Sequence, residues 1–123
     1  MTLRLQFPLR LVSEANLRGR EYWTKRNERV QQQRKDTNTY LLQAFGCGRR
    51  TINLEGLVVT MTRIGPTLIR DSDNLSSSFK SVRDQLAAFF GFDDGDSRVS
   101  WTYKQEKGKD YQVRIELSHG NNS

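Results

Sequence analysis

Asp71-Ser72-Asp73-Asn74-Leu75, answered downstream by Gly91-Phe92-Asp93-Asp94-Gly95-Asp96, brackets the segment whose reading decides the fold. Between the two clusters, Leu75, Phe79, Val82, Leu86 and Phe89 step by four, three, four and three, which is one continuous helical face. The spacing predicts a helix from residue 74 or 75 to about residue 90, capped by Asp73 or Asn74 and stopped by Gly91. Five carboxylates are concentrated at its two ends, in a chain of net charge +6. Taken singly, Asp-x-Asp before a helix is an N-cap and Asp-Asp-Gly-Asp is a turn. Taken together they are a carboxylate cluster that something must neutralise, and for an all-oxygen cluster the commonest neutraliser is Mg²⁺ or Mn²⁺. A carboxylate–metal site in a basic protein points to phosphodiester chemistry, with the basic surface holding the polyanion and the metal working on one phosphate.

Working outward, residues 2–11 alternate Leu3, Leu5, Phe7, Leu9 and Leu11 with Arg4, Gln6, Pro8 and Arg10, which predicts a strand. Pro8 lacks a ladder donor and places that strand at a sheet edge or a bulge. Residues 12–18 form a loop. Residues 19–45 suit a helix with a thin apolar stripe of Tyr22, Trp23, Val30, Leu41, Leu42 and Phe45, and the weak helix formers Asp36-Thr37-Asn38-Thr39 mark a kink. After a turn at 46–50, residues 54–64 are a strong strand ended by Gly65-Pro66. Val99, Trp101 and Tyr103, then Tyr111, Val113, Ile115 and Leu117 across a turn at Gly108-Lys109-Asp110, predict a closing hairpin. The order is β-α-β-α-β-β: an α/β (α+β) domain over 1–118 with a small mixed sheet and helices packed mainly on one side. Residues 119–123 form a polar tail, expected to be disordered.

Composition removes several classes of function. Cys47 is the single cysteine and His119 the single histidine. There is therefore no intramolecular disulfide, Cys-rich zinc site or CxxC centre, and no well-placed histidine for a triad. Phosphate-loop and dinucleotide glycine motifs are missing. No apolar run approaches a membrane span, and nothing at the N-terminus reads as a secretion signal. A lone cysteine fits a reducing cytoplasm. Any chemistry must run on carboxylates, lysine, arginine and a metal. An EF-hand is excluded because its sixth and twelfth positions would be Ser76 and Val82.

The basic surplus is concentrated between residues 18 and 35, where Arg18, Arg20, Lys25, Arg26, Arg29, Arg34 and Lys35 face only Glu21 and Glu28. This is either a solvated helix face or a phosphate-contacting one, with Tyr22 and Trp23 able to stack on exposed bases. Arg70 and Arg83 add positive charge around the acidic motif. Lys80 and Asp84 are four apart, a surface ion pair or a lysine directed at a phosphate.

Asp71-Ser72-Asp73-Asn74-Leu75, Lys80-x-x-x-Asp84-x-Leu86 and Gly91-Phe92-Asp93-Asp94, in that order, resemble the RusA family of Holliday-junction resolvases of phages and prophages. The resemblance covers roughly residues 54–117; upstream it rests on Asn16 followed by Arg and aromatic residues. It implies a homodimeric, Mg²⁺-dependent endonuclease in the host cytoplasm that resolves four-way DNA junctions by paired nicks, with Mn²⁺ as a possible substitute. Carried over, Asp71, Asp73 and Asp94 would be the metal ligands and Lys80 the catalytic lysine, with Asp93 or Asp96 as alternatives in the second cluster. One departure is the spacing: Ser76-Ser77-Ser78-Phe79 separates Leu75 from Lys80 where the family pattern has a single residue, a shift of about 4–5 Å along a helix axis. The rival expectation is a non-catalytic DNA-binding module of the same fold. A homodimer would draw on Phe89, Phe90, Phe92 and Trp101 for its interface.

Overall fold

The computed structural model describes residues 2–11, 19–46 and 52–120, and of residues 19–23 the backbone alone. The loop expected at 12–18, most of the turn at 46–50, Cys47, Asn16, Arg18, and the side chains of Arg20, Tyr22 and Trp23 lie outside the described residues, as does the tail from 121 onward. The elements are β1 (Leu3–Pro8), α1 (Gly19–Phe45), β2 (Leu57–Gly65), α2 (Ser72–Ser78), α3 (Lys80–Phe90), β3 (Val99–Lys107) and β4 (Gln112–His119). The chain is therefore an α/β protein with a four-stranded mixed sheet. His119, expected in the tail, instead ends β4, with Nε2 2.7 Å from the Asn53 carbonyl.

The strands lie in the order β1-β4-β2-β3. β4 is antiparallel to both β1 and β2, whereas β2 and β3 are parallel, with Leu57 opposite Val99 and Gly65 opposite Lys107. The predicted β3–β4 hairpin is thus corrected: the two strands are separated by β2. Alternation of apolar and polar residues specifies a strand but not its neighbour. The helices between β2 and β3 are the long crossover that parallel pairing needs. The short β3–β4 connection must then pass the end of β2, and two glycines let it do so. A Cβ on Gly108 would stand 2.6 Å from Ile64 Cγ2, and one on Gly65 2.9 Å from the Tyr111 ring. Pro8 ends β1, an edge strand, as a residue without a backbone N–H favours.

One sheet face and the helices share a single apolar cluster. Phe7, Leu57, Val59, Met61, Val99, Val113, Ile115 and Leu117 come from the strands, and Leu41, Leu75, Phe79, Val82, Leu86 and Phe90 from the helices. The opposite face is polar, and there Arg114 reaches across buried Thr62 to Glu106 with bonds of 2.8 and 3.1 Å.

Two helices depart from their predicted form. α1 runs without a break through residues 36–39, because Thr37 Oγ1 donates to the Gln33 carbonyl at 2.7 Å and Thr39 Oγ1 to that of Lys35 at 3.0 Å. These side chains bond backward into the helix instead of competing with it. Its buried line is Gln33, Thr37 and Leu41, four apart and mostly polar, whereas Leu42 is exposed. The second predicted helix is two, α2 and α3, joined at Phe79 with φ −89° and ψ −2°. Ser76 and Ser78 turn their hydroxyls onto the carbonyls of Asp73 and Leu75, and Phe79 N–H bonds Ser76 O, three residues back, tightening the last turn. The apolar face survives the break, with one change at its end: Phe90 is buried and Phe89 only partly so. Gly91, with φ 74°, stops α3 as predicted.

Candidate acidic site and cationic seam

Asp71, rather than Asp73 or Asn74, caps α2. Its backbone is extended, its carbonyl takes the Leu75 N–H at 2.9 Å and its Oδ1 takes the Asp73 N–H at 2.8 Å. Asp71 and Asp73, two residues apart at this cap, are both exposed. Among the described residues neither carboxylate has an ion-pair partner, whereas Asp84, Asp94, Asp96 and Glu106 each have one.

Two residues absent from the sequence expectations deliver this cap. Arg63, buried in β2, donates from Nε to the Leu11 carbonyl at 2.8 Å and from Nη1 to that of Thr67 at 2.7 Å, and lies against the Tyr111 ring. Burial pulls its pKa below the ordinary arginine value. Gln105 of β3 holds both backbone groups of Ile69, accepting from its N–H at 2.9 Å and donating to its carbonyl at 2.7 Å. Both carried a signal: each is a polar residue in the inward phase of an otherwise apolar strand.

The second cluster is largely committed to its own turn and to nearby cations. Asp93 Oδ1 accepts the Gly95 N–H at 2.9 Å, an Asx turn. Asp96 is held by Arg98 through Nε at 3.0 Å and Nη2 at 2.8 Å; those bonds, with one from the Arg98 backbone, pull its carboxyl down to about 2. Asp94, half-buried like Asp96, is tied to β3 and α3. Its carbonyl accepts Trp101 Nε1–H at 3.0 Å, and its Oδ2 stands 3.3 Å from Arg83 Nε. The Arg83 Nε–H is buried and makes no hydrogen bond, so the contact is an ion pair rather than an aligned bond. Nη1 of the same guanidinium donates to the Tyr103 hydroxyl at 2.9 Å, and its carbon lies 5.8 Å from the Trp101 ring centre.

Asp71 and Asp94 are therefore anchored at different levels of β3, one through Ile69 and Gln105, the other through Trp101. Four strand residues separate those anchors, about 13 Å. Among the described residues no three His, Cys, Asp or Glu side chains are gathered to hold one metal ion. Asp71 and Asp73 share the cap of α2, whereas Asp94 is paired with Arg83. Lys80 opens α3, beyond the seven residues of α2, about 10 Å of helix. It bonds Asp84 Oδ2 at 3.5 Å.

The basic residues divide along the α1–α3 contact. Lys25 and Lys35 are exposed, and Arg26, Arg29 and Arg34 are half-buried. Arg34 Nε donates to Gln85 Oε1 at 3.3 Å, and Gln85 Nε2 to Asn38 Oδ1 at 3.2 Å, tying the helices by side-chain amides. Arg70 is exposed beside Asp71, while Arg83 turns inward. No family model and no curated protein matches the chain.

Proposed function

We propose that this chain is a Mg²⁺-dependent endonuclease of the RusA type, acting on branched DNA and resolving four-way junctions by paired nicks as a homodimer. The observation that carries the reading is the exposed Asp71–Asp73 pair, two carboxylates two residues apart at one helix cap and, among the described residues, without an ion-pair partner, in a chain with a surplus of six positive charges. Such a pair is what a hard divalent cation meets, with Mn²⁺ an alternative to Mg²⁺. The cationic α1–α3 seam and exposed Arg70 suit the polyanion. The ordered motifs around Asp71, Lys80, Asp84 and Asp94 support the family. The homodimer follows from substrate symmetry: opposed nicks in a near two-fold junction need two equivalent sites.

A second reading, a non-catalytic DNA-binding module, is favoured by one observation, the Arg83–Asp94 ion pair that occupies the third expected ligand. One experiment separates the two. The pure protein is incubated with a synthetic four-way junction or a matched linear duplex, in Mg²⁺ or in EDTA. Paired nicks in the junction with Mg²⁺ alone support the nuclease. Binding without cleavage in either condition supports the module.

A further inference from the structure

Two arginines meet on one aromatic ring at the C-terminal end of β2. The guanidinium carbons of Arg10 and Arg63 lie 4.8 and 5.8 Å from the centre of the Tyr111 ring. We infer that this pair binds one phosphodiester oxyanion of DNA, separate from the phosphate facing Asp71 and Asp73. The inference rests on the DNA-binding part of the reading above.

Charge is the first reason. Arg63 is only 4% exposed, yet its hydrogen bonds go to the carbonyls of Leu11 and Thr67, and among the described residues no carboxylate pairs with it. Arg10 is exposed and also has no carboxylate partner there; Asp110, next to Tyr111 in the chain, makes no ion pair with either. Burial lowers the Arg63 pKa, and the charge of Arg10 lowers it further, so the two guanidiniums are close enough to repel. A buried charge is ordinarily paired. An oxyanion shared by both arginines supplies the missing counter-charge.

Geometry is the second reason. Arg63 spends Nε and Nη1 on the protein, and its Nη2 makes no hydrogen bond. Among the described residues Arg83 Nε is the one buried side-chain polar atom without a hydrogen bond, so Arg63 Nη2 stays within reach of solvent. The Tyr111 ring beneath the pair lies over Gly65, where a Cβ would stand 2.9 Å from it. The Arg10 backbone is held through its carbonyl, which accepts from Gln33 Nε2 at 3.4 Å. Both forks are therefore placed in advance, and a planar guanidinium matches phosphate oxygens. Position is the third reason. Arg63 Nη1 bonds the Thr67 carbonyl, and four residues later Asp71 caps α2. Four residues span at most about 14 Å. Phosphates recur about every 3.4 Å of axis along one strand, so a strand with one phosphate at Asp71 brings another to the arginines.

The test measures affinity for a four-way junction in EDTA across a salt series, for wild type, Arg10→Gln and Arg4→Gln, the last an exposed cation on the opposite sheet face. Each phosphate neutralised contributes about 0.9 to the slope of log K against log salt. Arg10→Gln should flatten the slope by about 0.9, because Arg63 Nη2 alone offers too few donors to hold the phosphate. Arg4→Gln should leave it unchanged. An unaltered slope in Arg10→Gln, or an equal loss in both variants, overturns the inference. Arg63 is followed without substitution, since its bonds also hold Leu11 and Thr67. Its guanidinium ¹⁵N resonances in wild type should move when the junction is added; if they stay fixed, Arg10 acts alone and the pair is overturned. Wild type that binds no DNA overturns it as well. Cleavage by wild type in Mg²⁺ is scored separately. A flattened slope without cleavage removes the nuclease and keeps the arginine site, whereas cleavage with an unaltered slope removes the arginine site alone.

Discussion

At the scale of single residues, Asp71 has two roles that substitution can separate. Its carboxylate caps α2 and, in the proposed function, faces a metal. Asparagine caps about as well as aspartate, whereas alanine costs about 1 kcal/mol. Asp71→Asn should therefore keep the wild-type denaturation midpoint while abolishing Mg²⁺-dependent cleavage, with junction binding kept or strengthened because less negative charge faces the phosphate. Normal cleavage by this variant would remove Asp71 from the metal site. Asp96 is a different kind of carboxylate. Hydrogen bonds from the Arg98 side chain and backbone hold its pKa at about 2, below the ordinary 3.8. A depressed folded-state pKa contributes stability above the ordinary value, and that contribution disappears as pH falls through the folded one. Denaturant midpoints of wild type and Asp96→Asn should differ near neutral pH and converge toward pH about 2. A gap that persists undiminished in acid would show that the pair does not set the difference.

At the scale of elements, the junction at Phe79 has the largest consequence. The side chain is fully buried and stacks on Tyr103 at 5.5 Å, while its backbone is the break between α2 and α3. Phe79→Ala should cost about 3–5 kcal/mol, the range for a large buried aromatic. Equilibrium denaturation measures this, and a loss under 1 kcal/mol would mean the site collapses around the gap. The segment leading to Asp71 depends instead on Arg63 and Gln105. Gln105→Leu removes both partners of the Ile69 backbone. Amide exchange at Ile69 should then accelerate while β2 and β4 keep their protection, since the lost bonds are local. Unchanged exchange at Ile69 would mean other contacts hold the segment.

At the scale of the whole molecule, the open question is assembly. The aromatics expected at an interface do not remain a free set. Phe90 is buried, its ring 5.6 Å from Phe45, while Phe89 is partly covered and Phe92 lies 6.2 Å from Trp101. A homodimer has Phe89, Phe92 and Trp101, each half-buried, left to offer. Sedimentation at micromolar protein should return twice the 14.3 kDa chain mass. A strict monomer that still makes paired nicks would refute the dimer requirement.

The sequence by itself determined where strand and helix lie, apart from the break at Phe79, because side-chain pattern is a local property: Leu3 to Phe7 and Tyr111 to Leu117 alternate, Leu57 to Ile64 is a short apolar-rich run ended by Gly65-Pro66, and Leu75 to Leu86 step by three and four. It also determined where α3 ends, since Gly91 adopts its positive φ without strain. Tertiary structure alone decided that β4 lies between β1 and β2, because neighbour choice depends on how the α2–α3 crossover and the whole apolar face are buried together. It alone decided the fate of each carboxylate. The one-dimensional motif treats Asp71, Asp73 and Asp94 as equals, but only folding places Arg83 beside Asp94 and leaves Asp71 and Asp73 facing solvent. Charge pairing is set by distances between residues remote in the chain, and no local pattern encodes them.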